Sequence, residues 1–143
     1  DNGIQVDDYL RTSAPDIYAA GDVASFCNPA VARRIRVEHE DNANLMGRHA
    51  GRNMAGKSDL YTHLPFFYSD MFDLGYEAVG ILDSRLETYA DWEEPNRKGV
   101  IYYLERGRIL GILLWNVWDK VDAARKIIAG HGHFNPEKLK GLI

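Results

Sequence analysis

Thr12-Ser13-Ala14-Pro15-Asp16-Ile17-Tyr18-Ala19-Ala20-Gly21-Asp22 is the stretch on which the reading of this chain turns. Thr12 to Pro15 carry turn chemistry, and the small or apolar residues Ile17-Tyr18-Ala19-Ala20 run from there into Gly21-Asp22. Such a run closed by Gly-Asp predicts a short strand buried on both faces, as in a parallel sheet. Open α/β sheets bind ligands beyond the carboxyl ends of their strands, and Asp22 falls at that point. Gly21, lacking a side chain, lets a ligand come close to the backbone. A carboxylate there repels phosphate and accepts hydrogen bonds from sugar or ribityl hydroxyls. A plain strand-terminating turn is the simpler account of the bare Gly-Asp dipeptide.

Upstream, Asp1-Asn2-Gly3 is a turn signal, and Ile4 and Val6 alternate with Gln5 and Asp7 as in a short strand. Downstream, no proline interrupts residues 37–55, and the pattern becomes helical. Ala43, Gly47, Gly51 and Ala55 form a ridge of small residues along that helix. Each internal glycine costs the helix roughly 1 kcal/mol relative to alanine, which predicts a compensating close approach by another backbone or a flat ligand. Gly56-Lys57-Ser58 ends the helix. After Leu60 five strand-like segments follow, at 66–72, 76–82, 86–92, 100–105 and 109–115. Asp73-Leu74-Gly75, Asp83-Ser84, Pro95 to Gly99 and Arg106-Gly107 separate them, the last as a tight hairpin. A helix is expected from Lys120, with Val121, Ala124, Ile127 and Ile128 on one face, Asp119 as N-cap and Gly130 at its end. Asn135-Pro136-Glu137 opens a short final helix.

The chain has 143 residues, 45% of them hydrophobic, enough to build a core and too many for a disordered segment. A formal net charge of −4 argues against nucleic-acid binding by phosphate neutralisation. A single cysteine, Cys27, excludes an internal disulfide, a CxxC pair and an all-cysteine metal site. It also suits a reducing compartment, here the cytoplasm. No apolar run approaches the roughly 18 residues that span a bilayer, and the N-terminus does not resemble a signal peptide. The fold expected is therefore an α/β remnant, residues 1–57, followed by an α+β body, residues 58–143, with a five-stranded, mostly antiparallel sheet and C-terminal helices. One strand and one helix cannot cover both faces of a parallel sheet, so residues 1–57 read as the end of a larger domain and Asp1 as a boundary within it.

The full string at residues 12–22 closely resembles the second flavin-binding signature of the FAD-dependent pyridine nucleotide oxidoreductases, T-x-x-P-x-I-Y-A-x-G-D. Gly3-Ile4-Gln5-Val6-Asp7 and Leu10-Arg11-Thr12 match its lead-in. The resemblance continues in order through Arg36-Val37-Glu38-His39-Glu40-Asp41-Asn42-Ala43, Gly47-Arg48, Ala50 to Met54 and Tyr68-Ser69-Asp70. It then takes in Gly75-Tyr76-Glu77-Ala78-Val79-Gly80, Lys98 to Leu104, Leu114-Trp115-Asn116 and Ala124 to Ile128. These stretches are similar to the C-terminal part of apoptosis-inducing-factor-like and ferredoxin-reductase-like flavoproteins. By that resemblance Gly21 and Asp22 meet the ribityl or pyrophosphate region of FAD, and His39 and Glu40 lie beside the flavin with Glu38 at the nicotinamide side. Tyr68 forms an aromatic flavin wall, Glu77 meets the nicotinamide nucleotide, and Asn116 sits near the bound dinucleotide.

The resemblance implies a flavoprotein that passes electrons from NAD(P)H through FAD to an iron–sulfur protein, a quinone or oxygen. It requires no acid or base catalyst from this chain. The cofactor carries the redox chemistry and the protein supplies orientation and electrostatics. The start of the helix after Val37, aimed at the flavin, would stabilise negative charge on it. Two positions depart from the apoptosis-factor pattern: Glu40 stands where a second histidine is usual, and Tyr68 where tryptophan is usual. A glutamate beside the flavin disfavours its anionic reduced form and lowers its potential. The connection at residues 91–98 lacks the long insertion of the mitochondrial apoptosis factor. None of the five histidines precedes Pro-Thr, which argues against disulfide-reductase chemistry.

Other features read as structure. Arg33-Arg34-Ile35-Arg36 is a solvated basic turn, His131-Gly132-His133 a surface turn, Cys27 an incidental loop thiol, and Trp115 and Trp118 core or interface anchors. No G-x-G-x-x-G occurs, so the chain by itself is expected to bind FAD poorly and to turn nothing over. The alternative is a non-catalytic module for homodimerisation or partner binding.

Overall fold

The parallel pairing of the first half forms between β1 (Ile4–Gln5) and β2 (Ala24–Asn28), and β3 (Arg33–Ile35) pairs antiparallel with the other edge of β2. The structure, a computed structural model, describes residues 2–143; Asp1 of the expected Asp1-Asn2-Gly3 turn lies outside the described residues. The strand expected at residues 17–20 does not form. Ile17 is 55% exposed, and Tyr18 makes one isolated bridge to Arg11. A doubly buried parallel strand needs neighbours on both edges and layers on both faces, and the described residues do not provide them. Asp22 therefore precedes a strand instead of ending one. Gly21–Val23 make a single 3-10 turn that delivers the chain into β2.

Helix α1 (Glu40–Met54) starts later than the proline-free run suggests, because His39 is still extended at φ −152° and ψ 150°. Its buried face carries Asn42, Met46, Ala50 and Asn53. Met46 and Ala50 join Val6, Leu10, Ala24, Phe26 and Tyr61 in one apolar cluster, with Phe26 and Tyr61 edge-on at 5.4 Å. The ridge of small residues lies elsewhere. Ala43 touches the Gly21 turn, but a Cβ built on Gly47 or Gly51 meets nothing within 4 Å. The close approach predicted for those two glycines is thus not supplied by the described residues.

The chain divides into two compact bodies at Pro65 and Phe66, where the sequence suggests a boundary at residues 57 and 58. Tyr61 and its neighbours belong by packing to body one.

Body two is one five-stranded sheet in the order β4-β5-β8-β7-β6. Its strands are β4 (Phe66–Met71), β5 (Leu74–Gly80), β6 (Glu87–Glu94), β7 (Lys98–Glu105) and β8 (Arg108–Trp115), each close to an expected segment and every pair antiparallel. Turn chemistry sets the register. Arg106 and Gly107 lie at φ 51° and 77°, the left-handed pair of a two-residue hairpin whose twist matches the strands. The exit from β5 crosses β8 at Gly111, where a Cβ would stand 2.0 Å from the Ile81 carbonyl oxygen. Only glycine fits there. Val79, Tyr102, Ile112, Leu114 and Ile128 are buried in the interior.

Helix α2 (Val121–Ala129) packs on β5 and β8, with Ala124 and Ile128 buried. Its N-cap is Lys120, not the expected Asp119. Asp119 lies one residue further out at φ 61°, its amide turned to Glu77. The final helix is a single 3-10 turn, Pro136–Lys138. No helix among the described residues is long and apolar enough to cross a membrane.

Candidate functional site

In body one the site grows from the Gly21-Asp22 turn. Gly21 adopts φ +75°, a conformation open to glycine at little cost. Its N–H donates to Met46 Sδ at 3.3 Å, and a Cβ on it would stand 3.5 Å from that of Ala43. Those contacts fasten the turn to the first part of α1. The Asp22 carbonyl accepts from Arg36 Nη1 at 2.8 Å, and Arg36 also pairs with the Glu38 carboxylate. One guanidinium thus joins the two stretches assigned to cofactor binding. The Asp22 side chain is left exposed.

His39 is the last extended residue before α1, and its carbonyl accepts the first helical bond, from Ala43 N–H at 3.0 Å. Glu40 is exposed and turned along the helix, its Oε1 accepting from Asn44 Nδ2 at 3.3 Å. Gly21, Asp22, Glu38, His39 and Glu40 are therefore gathered around the start of α1. The His39 side chain makes no capping hydrogen bond to that helix end among the described residues.

In body two Tyr68 on β4 and Glu77 on β5 are direct register partners. The Tyr68 ring is half-exposed and stacks on Phe66 at 6.2 Å. Glu77 Oε2 is buried and has no hydrogen-bond partner among the described residues. Burial, joined by the negative charge of Asp119, pushes the Glu77 carboxyl above its usual range, against the opposing pull of the Asp119 amide. A buried acceptor without a donor costs free energy, so Oε2 is an uncompensated polar atom beside the Tyr68 strand.

Asn116 is engaged differently. Its Oδ1 accepts from Gly75 N–H at 2.7 Å, and its Nδ2 donates to the carbonyls of Arg97 at 2.9 Å and Asp73 at 3.3 Å. The amide knots three strand ends together, and the half-buried Asn116 lies in the wall of a cleft of about 550 Å³ that also holds Trp92, Lys98, Trp118 and Lys120.

Several readings change. The basic run is no free turn: Arg34 donates to the Val6 and Ser25 carbonyls, and Arg36 to Asp22. Cys27 is exposed on β2, opposite Arg34, and not in a loop. His131 and His133 are exposed, and His133 makes an isolated antiparallel bridge to Arg108. Trp115 stacks on Tyr76 at 6.1 Å, and Trp118 lies over Gly75 while half-exposed. The sequence reading missed Arg36 as a bridge. It also missed a close pair between Asp41 and His63, 22 residues apart, for which no spacing or motif gives a signal.

Comparison with known proteins bears on both bodies. Residues 50–97 and 90–130 match the family described as apoptosis-inducing factor, mitochondrion-associated, C-term, and residues 1–47 match pyridine nucleotide-disulphide oxidoreductase. Apoptosis-inducing factor 1, mitochondrial, of Dictyostelium discoideum is 42% identical over 125 residues, covering 79% of this chain and 24% of that protein. The ferredoxin–NAD(+) reductase component of the anthranilate 1,2-dioxygenase system of Burkholderia cepacia is 31% identical, covering 97% of this chain and 34% of the relative. Among solved structures, the covalent putidaredoxin reductase–putidaredoxin complex superposes with a TM-score of 0.83 at 27% identity, over 97% of this chain and 33% of the other. The chain thus spans between a quarter and a third of the length of these relatives.

Proposed function

We propose, because this chain belongs to the pyridine nucleotide-disulphide oxidoreductases in their apoptosis-inducing-factor-like and ferredoxin-reductase-like branch, that it is the C-terminal part of an FAD-dependent NAD(P)H oxidoreductase. The segment through Pro65 completes the FAD-binding domain in this reading, past the boundary at 57 and 58 that the sequence suggests, and Phe66–Ile143 form the interface domain.

The observation that carries the reading is the buried, donor-less Oε2 of Glu77, beside the exposed aromatic ring of Tyr68. A carboxylate oxygen so placed accepts an N–H of a flat ligand that rests on the ring, and the carboxamide of a nicotinamide supplies one. A second arrangement, in body one, supports the flavin reading. The Gly21 turn leaves the Asp22 carboxylate exposed as a hydroxyl acceptor, while Arg36 fixes Asp22 and Glu38 to each other.

FAD and NAD(P)H, when bound, supply the hydride transfer and the electron store. The chain's own residues bind and orient. Asp22 would accept from the ribityl chain, His39 and Glu40 would lie beside the flavin with Glu38 at the nicotinamide side, and Tyr68 would form an aromatic wall. Glu77 holds the nicotinamide nucleotide, and Asn116 shapes the wall of the neighbouring cleft. Glu40, a carboxylate in place of an imidazole, lowers the flavin potential. The acceptor is a ferredoxin-like iron–sulfur protein, supported by the reductase complex that this fold superposes on. The sole cysteine supports a cytoplasmic setting. Among the described residues β4 and β6 are the outer strands of the sheet, and body two is the module proposed for homodimer formation.

The test is kinetic. In the full-length protein Glu77→Ala should raise the Michaelis constant for NAD(P)H about tenfold, the cost of one hydrogen bond to a charged acceptor, with FAD retained. Unchanged nucleotide kinetics would refute the role of Glu77. A full-length protein without a flavin absorbance band would refute the whole assignment.

A further inference from the structure

One face of α1 is covered by residues 59–63, which run back along the helix from its end to its beginning. At the far end Asn53 Nδ2 donates to the Asp59 carbonyl at 3.0 Å, and Asp59 N–H returns the bond to Asn53 Oδ1 at 3.0 Å. His49 Nε2 lies 2.8 Å from the same carbonyl, which only accepts, so Nε2 carries the proton. Midway, Tyr61 hydroxyl donates to Asn42 Oδ1 at 3.1 Å. At the near end His63 Nε2 donates to Asp41 Oδ2 at 2.6 Å, with the two side chains only 21% and 15% exposed. Asn28 Nδ2 locks the His63 carbonyl from the other side at 2.8 Å.

These ties differ in what they control. Those at Asn53 and His49 set where the strap lies along the helix. The Asp41–His63 pair holds the first helical turn, the part of a helix that frays most readily. Asp41 adjoins Glu40 and is two residues from His39. A short charge-assisted bond at that point fixes the backbone from which both project.

We propose that Asp41 and His63 are positioning residues that hold His39 and Glu40 in register with the flavin, an inference that rests on the function proposed above. The pair itself does not touch the cofactor. Loosening it lets the Glu40 carboxylate withdraw, which relieves the penalty on reduced flavin and raises its potential.

The experiment uses the full-length FAD-loaded protein and compares His63→Leu, Asp41→Asn, His63→Gln and Asn53→Ala. His63→Leu should shift the oxidised–reduced equilibrium of the flavin at least tenfold toward reduction, about 30 mV for a two-electron couple. Asp41→Asn should move it the same way. His63→Gln, which keeps an N–H for Asp41, should stay within threefold of wild type. Asn53→Ala, which cuts the far end of the strap, should lower the melting temperature and leave the potential within threefold. Amide hydrogen exchange at residues 39–43 in the FAD-free protein should quicken at least tenfold in His63→Leu and not in Asn53→Ala. The inference is overturned if His63→Leu leaves the potential within threefold, or if Asn53→Ala shifts it as far. Either result leaves the flavin bound and the proposed function standing, whereas a full-length protein that binds no FAD overturns both.

Discussion

In body two each central strand gives its backbone to neighbours on both sides, from Phe66 opposite Val79 to Glu87 opposite Leu104, and the side chains are left to fill an apolar interior. In body one the ladder is short: β1 contributes two residues and β3 three. Polar side chains do there what strands do elsewhere. Arg34 satisfies the Val6 and Ser25 carbonyls, Asn28 that of His63, and Asn53 those of Tyr9 and Asp59. Buried backbone groups must be paired by something, and where strand partners are few, side-chain amides and guanidinium groups take their place. A sheet of the first kind tolerates surface change and suffers from cavities. An assembly of the second kind is damaged by the loss of a single polar group.

The largest expected effect breaks the sheet. Ile112, fully buried on the middle strand β8, should cost about 3 kcal/mol on replacement by alanine, from lost burial and the cavity left behind. All three tryptophans, Trp92, Trp115 and Trp118, lie in body two, so their fluorescence during denaturant unfolding reports that body alone. The fluorescence midpoint should fall in Ile112→Ala while the helical signal of α1 keeps its own transition. If both signals move together, the bodies unfold as one and the contrast between them has no energetic meaning.

The converse change is Asn28→Ala. Asn28 is 1% exposed, and its loss removes the donor to the His63 carbonyl and the acceptor of the Ala30 amide. The expected cost is about 2 kcal/mol, the penalty for stranding buried backbone groups. It should appear in body one with the tryptophan midpoint unmoved. A cost no larger than that of an exposed asparagine would show that the polar ties are ornamental.

The same contrast explains what could be read from the sequence. The five strands of body two announce themselves by alternation and by turns such as Arg106-Gly107, because a ladder repeats every second residue. Its edges shifted only where a turn sits one or two residues off, as when Phe72 and Asp73 take the β4–β5 corner that Asp73-Leu74-Gly75 suggests. Body one was legible as a motif and not as structure. The string at residues 12–22 identifies a family, yet residues 17–20 do not form a strand, since pattern reports what a segment forms beside the right neighbours. The ridge at Gly47 and Gly51 is the same case: the spacing implies a close partner that the described residues do not contain. The site divides likewise. Gly21, Asp22, Glu38, His39 and Glu40 do converge, but Asn116 is tied into a turn, and the Asp41–His63 pair joins residues that no period relates. A helix cap fails for a local reason, Asp119 having taken a left-handed backbone with its amide on Glu77.

The smallest effects separate the bodies by the sign of their response to acid. Asp7, in body one, is raised by burial, but the amides of Arg11 and Tyr9 and the Arg11 guanidinium outweigh that and hold its carboxyl below 3.8. Its contribution to stability is therefore present above the unfolded value and lost as pH falls through the lowered one. Glu77, in body two, is shifted upward by burial and by Asp119, from 4.5. Its contribution is complete below pH 4.5 and is lost as pH rises through the raised value, so the ionised form of this carboxylate weakens the sheet. Glu77→Gln should accordingly stabilise body two near neutrality, and its advantage in the tryptophan-reported midpoint should vanish below pH 4.5. Asp7→Asn should do the reverse in body one, costing stability at neutral pH and nothing once acid has protonated the wild-type group. Both changes stay small, since Asp7 is 43% exposed and solvent screens it, while Glu77 keeps the Asp119 amide as partial compensation. A Glu77→Gln difference that is flat across pH would mean that water reaches Oε2, and the donor-less oxygen on which the nicotinamide reading depends would no longer be waiting for a ligand.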